Sequence, residues 1–330
     1  MDMKSSAKIV VLDGYTINPG DNPWSALETL GDCTIYDRTP PELRLERSMD
    51  AEILLTSKVK LDAAILRSLP KLKYISMLAT GYNNVDVEAA GTLGIPVSNV
   101  PAYSTESVAQ TTFALLLELA VNVGLHDAAV KAGEWERCPD HSFWKTPIVE
   151  LDGLTIGIVG YGVIGKAVAR IAAAFGMRVI AYAPRIPADP GPVPVCFVPL
   201  EELFASADVV TLNCPQTPEN AGFVNATLLR RMKNTAFFIN VARGGLVNEA
   251  DLAGALHAGQ IAGAGLDVVA HEPMLAGNPL LSAPNCIFTP HIAWASLAAR
   301  RRLVGIVAAN VASYLGGSPI NVVNGQNLGS

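Results

Sequence analysis

The segment Ile156-Gly157-Ile158-Val159-Gly160-Tyr161-Gly162-Val163-Ile164-Gly165 constrains the fold more than any other part of the chain. Its apolar start reads as a buried strand, and the GxGxxG pattern of 160–165 follows without a gap. Lys166–Phe175 then continues at helical spacing. Each glycine meets its own steric demand. Gly160 permits a tight turn, Gly162 lets the backbone approach a pyrophosphate, and Gly165 lets helix and strand pack closely, with the helix N-terminus facing the phosphates. Gly160, Tyr161, Gly162, Val163, Ile164 and Gly165 are therefore candidate cofactor contacts. An ordinary strand–turn–helix is the competing reading; the strand expected next, over 178–183, favours the nucleotide one.

Around this turn the pattern predicts a doubly wound unit. Its strands are expected at 155–160, 178–183, 208–212, 236–240, 263–268 and 286–289, with helices at 164–175, 199–205, 224–232 and 248–257. The Pro-rich stretch 184–199 reads as a loop. Residues 1–100 alternate in the same way, with strands at 9–13, 33–36, 53–56, 73–78 and 96–98 and helices at 24–30, 41–48, 62–69 and 86–91, the last capped by Asp86. One long helix is expected over 104–131, apolar on more than one side, followed by an irregular Trp-bearing arm to about 150. A final helix, about 295–315, is free to return to the first unit, and the tail ending Asn-Leu-Gly-Ser is expected to be loosely held. The fold class is therefore α/β with two doubly wound parallel-sheet domains. A Rossmann nucleotide-binding domain, 102–294 with a dimerisation arm at about 104–150, is inserted in a flavodoxin-like substrate domain, 1–101 plus 295–330. A cleft between domains is the natural place for a site.

With 330 residues, half of them hydrophobic, the chain can fill two cores. Only 16 % of residues are charged and the net charge is −6, which gives no support to a nucleic-acid or membrane partner. The five cysteines, Cys33, Cys138, Cys196, Cys214 and Cys286, have neither metal-site nor redox-pair spacing. No metal is expected. With no signal-like apolar stretch at the N-terminus, the thiols point to a cytoplasmic location.

The type of dinucleotide turns on the end of the second strand. An acidic residue normally takes the ribose 2′-hydroxyl of NAD there, but the chain reads Ala183-Pro184-Arg185. Arg185 suits a 2′-phosphate, so the cofactor is NADP or NAD, with NADP favoured. Asp189, further along the loop, keeps NAD open.

Reduction of a ketone needs a proton donor and a cation for a substrate carboxylate. Of the five histidines, His126 and His257 fall in helices and read as packing residues, and His141 falls in the arm. His271 and His291 follow strand ends, where doubly wound folds bind ligands. Arg243 also follows a strand end, next to Gly244-Gly245. Glu272, after another strand, is placed to fix the tautomer of His291.

Four stretches now stand in order: GYGVIG at 160–165, NVARGGLVNEADL at 240–252, AGLDVVAHEP at 264–273 and TPHIAW at 289–294. Over nearly its whole length the chain resembles the D-isomer-specific 2-hydroxyacid dehydrogenase family. LATGYNNVD at 78–86 and SFWKTPIVEL at 142–151 resemble its glycerate dehydrogenase and hydroxypyruvate reductase branch. The resemblance implies that Arg243 orients the carboxylate and carbonyl of a small 2-oxo or 2-hydroxy acid. His291 would be the general acid, supported by Glu272. Leu78, Ala79, Thr80 and Gly81 would offer amides to the substrate carboxylate. Asp267 would hold the nicotinamide carboxamide. Thr105, Cys214, Pro215, Val241 and Ala242 would line the cofactor together with Ala183, Pro184, Arg185 and His291. It further implies a homodimer. Ala183 departs from the pattern of NAD-using relatives. Hydroxypyruvate or glyoxylate is the expected substrate. Larger 2-oxo acids, formate or phosphonate oxidation, and a nicotinamide-sensing regulator are the rivals.

Overall fold

In the computed structural model, residues 6–327 are described. The chain divides into two compact units, one comprising the part up to Ser104 and the part from Ala295 onward, the other Thr105–Trp294.

The first unit is built on strands β1 (Lys8–Val11), β2 (Asp32–Ile35), β3 (Ile53–Thr56), β4 (Tyr74–Met77) and β5 (Val97–Ser98), all parallel, in the order β2-β1-β3-β4-β5. This is the flavodoxin-like order. β3 and β4 are buried at every position, as strands covered on both faces must be. Short helices α1 (Ser25–Glu28), α2 (Arg44–Ser48), α3 (Ala63–Arg67) and α4 (Val87–Thr92) connect them. Asp62 and Asp86 cap α3 and α4 by accepting from the amides of Ile65 and Ala89.

The C-terminal helix Leu297–Leu315 completes this unit. Tyr314 stacks on Tyr74 of β4 with ring centroids 4.3 Å apart, and Arg300 reaches the Ile17 carbonyl and the Asp21 carboxylate. The chain after it is tied down, contrary to expectation. Asn324 is buried and bridges the Val97 amide and the Ile95 carbonyl, and Ser98 donates to the Ile320 carbonyl. Polar residues here are not a sign of looseness, because asparagines replace missing ladder partners along β5. Leu328–Ser330, the end of the expected loose tail, lie outside the described residues.

The second unit opens with helices α5 (Thr105–Val121) and α6 (Val123–Lys131), where one helix was expected. Asn122 adopts a left-handed conformation (φ 55°) and the two axes bend by 55°. The Glu118 carboxylate then caps the new start by accepting from the Gly124 amide. Periodicity alone does not reveal this break, because both segments keep the same apolar rhythm.

Seven parallel strands follow: β6 (Thr155–Val159), β7 (Arg178–Tyr182), β8 (Val195–Phe197), β9 (Val209–Leu212), β10 (Phe237–Asn240), β11 (Gly263–Leu266) and β12 (Cys286–Phe288). Their order is β12-β11-β10-β9-β6-β7-β8, the doubly wound arrangement with its switch point between β6 and β9. Helices α7 (Val163–Ala174), α8 (Leu200–Ser206), α9 (Ala226–Leu229) and α10 (Glu249–His257) cross between them. β8 corrects the expectation of a plain loop over 184–199. Only Val195-Cys196-Phe197 pairs, as an edge strand on β7, with the prolines left outside it.

Candidate active site

Three glycines of the turn after β6 have different surroundings. Gly160 has φ +94°, and a Cβ there would lie 2.7 Å from the Cys214 amide nitrogen. A Cβ on Gly165 would lie 2.4 Å from the Gly160 carbonyl oxygen. These two glycines serve turn and packing. A Cβ on Gly162 would meet no protein atom within 4 Å. Protein packing therefore does not demand a glycine at 162, whereas a phosphate lying against the backbone does. No side chain caps α7 at Gly162, so its first-turn amides are open to an anion. The residues present fit a dinucleotide.

Val163 is exposed and Ile164 half-buried at this helix start. The Tyr161 side chain turns inward instead, with its ring edge-on to Phe197 at 5.3 Å, which leaves only its backbone to face a ligand. The Gly160 contact puts Cys214 and Pro215, just after β9, beside the turn. Burial pushes the Cys214 thiol up to about 11, which suits packing and not nucleophilic chemistry.

Ala183, Pro184 and Arg185 follow β7 directly. Arg185 is exposed and makes no ion pair among the described residues. Asp189 is committed locally: its carboxylate accepts from the Gly191 amide at 2.8 Å, and its carbonyl accepts from Lys166.

At the C-terminal ends of β10, β11 and β12, the structure gathers Arg243, Asp267, Glu272 and His291. Asn240 shapes the first turn. Its buried side chain accepts from the Ala242 amide at 3.0 Å and donates to the Arg243 carbonyl at 2.9 Å. Val241 is buried and Ala242 half-buried, while Arg243 is exposed with Nη1 on the Ala242 carbonyl. A Cβ on Gly244 would fall 1.9 Å from the Val269 carbonyl carbon, so this glycine lets the Arg243 turn press against the backbone leading to Glu272.

His291 Nδ1 lies 2.6 Å from Glu272 Oε2, and Glu272 Oε1 accepts from the Val269 amide at 3.2 Å. Burial alone would raise the Glu272 carboxyl. The hydrogen bond and charge of His291, the Val269 amide and the Arg243 charge outweigh it and hold the group below its ordinary value of 4.5. Nδ1 thus faces a carboxylate, so it carries the proton, and Nε2 is left for other chemistry.

The backbone of His291 is left-handed, with φ 54°. That conformation costs a side-chain-bearing residue about 1 kcal/mol or more, so its neighbours must hold it. Asp267, 2 % exposed, does this: its carboxylate accepts from Thr289 Oγ1 (2.6 Å) and from the amides of Ile292 (2.8 Å) and Ala293 (2.9 Å). Its carbonyl accepts from the His291 amide at 2.8 Å. Ser107 of α5, two residues past the half-buried Thr105, donates to the Ala293 carbonyl. Asn240 and Thr289 open the 240–252 and 289–294 stretches without being marked there as functional, and Ser107 lies in no motif, although each holds a turn on which a candidate side chain sits.

Leu78–Gly81 belong to the other unit. The Leu78 amide is already spent on the Thr56 carbonyl at 2.8 Å, so only three of the four expected donors remain. The Thr80 hydroxyl and the Ala79 carbonyl tie this loop to Val100. His126 links Asn122 to the Lys145 amide, and His271 faces the Pro273 carbonyl; neither joins the Arg243 group.

The family profile described as D-isomer specific 2-hydroxyacid dehydrogenase, NAD binding domain, matches residues 113–293. The chain is 48 % identical over 322 residues to a hydroxypyruvate reductase of Blautia hydrogenotrophica, covering 96 % of this chain and 99 % of that protein. It is 41 % identical to a glycerate dehydrogenase of Methylorubrum extorquens, covering 87 % and 90 %. The structure of a glyoxylate/hydroxypyruvate reductase from Sinorhizobium meliloti, described as NADPH-dependent and complexed with NADP and malonate, superposes with a TM-score of 0.83 at 30 % identity, covering 97 % of each chain.

Proposed function

Because this chain belongs to the D-isomer-specific 2-hydroxyacid dehydrogenase family, we propose that it reduces a small 2-oxo acid, hydroxypyruvate or glyoxylate, to the D-2-hydroxy acid with a nicotinamide cofactor. The observation that carries the reading is the His291–Glu272 pair at 2.6 Å, fixed in a left-handed turn at the sheet's C-terminal edge with the Arg243 charge acting on it.

The roles are those the family resemblance implies for these residues. A dinucleotide held at the Gly160–Gly165 turn would supply the hydride for reduction of the substrate. His291 gives its Nε2 proton to the carbonyl oxygen in reduction and takes it back in oxidation. Glu272 stabilises the charged imidazole and keeps Nε2 as the reacting nitrogen. Arg243 binds the carboxylate and stabilises charge growing on the carbonyl oxygen. The family resemblance further assigns the amides of Ala79, Thr80 and Gly81 as donors to a substrate carboxylate. Thr105, Cys214, Pro215, Val241 and Ala242 line the cofactor, and Asp267 offers its remaining acceptor capacity to the carboxamide. The unit Thr105–Trp294 is then the nucleotide domain and the other the substrate domain.

NADP is the favoured cofactor. Arg185, three residues past β7, forms no ion pair among the described residues, Ala183 brings no carboxylate, and the Asp189 carboxylate is occupied by Gly191. The assembly is a homodimer formed through α6 and the following arm, where Val123, Trp135, Trp144 and Ile148 are all more than half exposed. The unpaired state of all five cysteines favours a cytoplasmic location.

A matrix of NADH and NADPH against hydroxypyruvate, glyoxylate, pyruvate and a bulky 2-oxo acid tests this reading. Turnover of the two small acids, better with NADPH and losing that preference in Arg185→Ala, is expected. Preference for the bulky acid would refute the substrate, and preference for NADH would refute the role of Arg185.

A further inference from the structure

Glu272 is carried by a loop, 269–278, that runs from the end of β11 to the helical turn Pro279–Ser282 and contains no helix or strand of its own. Such a segment holds a side chain in one geometry only if something outside it fixes its course. Among the described residues, and apart from the adjoining turn, its hydrogen bonds to the rest of the unit go to two side chains: His291, which meets Glu272, and Glu249 at the start of α10. Glu249 Oε1 accepts from the Ala270 amide at 2.7 Å, and Oε2 accepts from Asn278 Nδ2 at 2.9 Å. One half-buried carboxylate therefore closes both ends of the loop.

An acid in the first turn of a helix ordinarily serves that helix. Here Asn248 already caps α10 by accepting from the Asp251 amide, and both oxygens of Glu249 leave the helix for the loop. The backbone beneath Glu249 is fixed as well, since the Asn248 amide donates to the Val224 carbonyl at 2.9 Å. The Arg243 turn leads into α10 and presses on Val269 at Gly244. The Ala270 amide that Glu249 holds is the next one along, and the Val269 amide itself donates to Glu272 Oε1. Glu249 thus ties the chain bearing Arg243 to the chain bearing Glu272. The far end of the loop has a second anchor in Leu280, which is 1 % exposed and packs with Leu252 and Leu256 of α10, so the fold does not hang on Glu249.

We infer that Glu249 is a positioning residue, whose carboxylate sets the course of 269–278 so that Glu272 meets His291 Nδ1 and keeps the imidazole proton there. This role rests on the reductase reading and deepens it, because Glu249 acts on the reaction through Glu272 alone. The position calls for a carboxylate and not for any polar group. Asn278 Oδ1 accepts from the Leu280 amide at 2.9 Å, so its Nδ2 must face Glu249. Both partners of Glu249 are then donors. A glutamine there sets its NH2 against one of them, donor against donor, whichever way it turns.

The test compares Glu249→Gln with Glu249→Gln/Asn278→Asp, in which amide and carboxylate change places. In the exchanged variant the carboxylate at 278 accepts from the Leu280 amide and from the NH2 at 249, while the amide oxygen at 249 keeps Ala270. Glu249→Gln should lower kcat with hydroxypyruvate about tenfold and leave KM for the dinucleotide unchanged. The exchanged variant should recover most of that loss, and Glu249→Gln should cost nothing further in a Glu272→Gln background. Nitrogen-edited NMR of histidine-labelled protein at alkaline pH reads the positioning without turnover, with the His291 signals assigned by their loss in His291→Ala. The proton should sit on Nδ1 in the wild type and the exchanged variant, and shift toward Nε2 in Glu249→Gln. An unchanged tautomer in Glu249→Gln, an additive loss on Glu272→Gln, or no recovery in an exchanged variant that melts with the wild type would each overturn the role. A wild type that turns over no small 2-oxo acid would refute the reductase reading, and the tautomer comparison would still decide whether Glu249 positions Glu272.

Discussion

Replacing Asp267 by Asn changes the shape of the side chain least and its hydrogen bonding most. The carboxylate accepts three hydrogen bonds while almost fully buried. An amide that keeps its oxygen on Thr289 and Ile292 must turn its NH2 toward the Ala293 amide, donor against donor. In the reverse orientation the NH2 can donate to the Thr289 hydroxyl but opposes the Ile292 amide, so one donor-against-donor clash remains either way. In either orientation the variant loses one charge-assisted bond, about 1.5–3 kcal/mol, and leaves a buried N–H unpaired, about 1–3 kcal/mol, for a total of roughly 3–5 kcal/mol. At about 2–4 °C per kcal/mol for a unit of this size, the melting temperature should fall by roughly 10 °C. Relaxation of the turn also frees His291 from its left-handed conformation, so kcat should fall with it. Differential scanning calorimetry of the cofactor-free protein reads the first effect, and cofactor oxidation with hydroxypyruvate reads the second. A variant that melts with the wild type in the absence of cofactor would refute the assignment of Asp267 as the holder of the His291 turn, whatever happens to cofactor affinity.

Other perturbations separate packing from chemistry. Gly165→Ala puts a methyl against the Gly160 carbonyl and should cost about 1–3 kcal/mol of stability in a melting experiment. Gly162→Ala meets open space, so it should melt normally yet raise KM for the dinucleotide severalfold. Glu272→Gln should lower kcat by about one to two orders of magnitude, less than loss of the acid itself. Because the folded Glu272 carboxyl lies below 4.5, the stability it contributes is present above that pH and is lost as pH falls through the folded value. The gap in melting temperature between wild type and Glu272→Gln should therefore close in acid. If the proposed homodimer forms through the arm, Trp144→Glu should give a monomer in sedimentation where the wild type sediments as a dimer, because Trp144 is 67 % exposed in the isolated chain.

Elements fixed by local sequence were legible before the structure. Parallel buried strands announce themselves as short apolar runs, and the turn after β6 does so through steric demands that only glycine meets. Arg243, Glu272 and His291 could be named as candidates because each follows a strand end, and the structure brings them to one end of the sheet. What escaped reading depends on partners distant in sequence. The break at Asn122 rests on one dihedral angle and a cap from Glu118, neither of which alters the apolar period. β8 forms because β7 offers an open edge, which the prolines around it conceal. Asp267 could be read as a ligand contact, but the donors that occupy its carboxylate come from residues 22 to 26 positions away. The Leu78 amide was counted as a donor because nothing in the sequence shows that the Thr56 carbonyl takes it.

The most direct test compares the wild-type protein with His291→Ala in NADPH oxidation with hydroxypyruvate, under conditions where both variants bind the cofactor equally. The wild type should turn over, and the variant should lose about 10²- to 10⁴-fold in kcat, the range for removing a general acid. Undiminished turnover in His291→Ala, or none in the wild type with any small 2-oxo acid, would contradict the account.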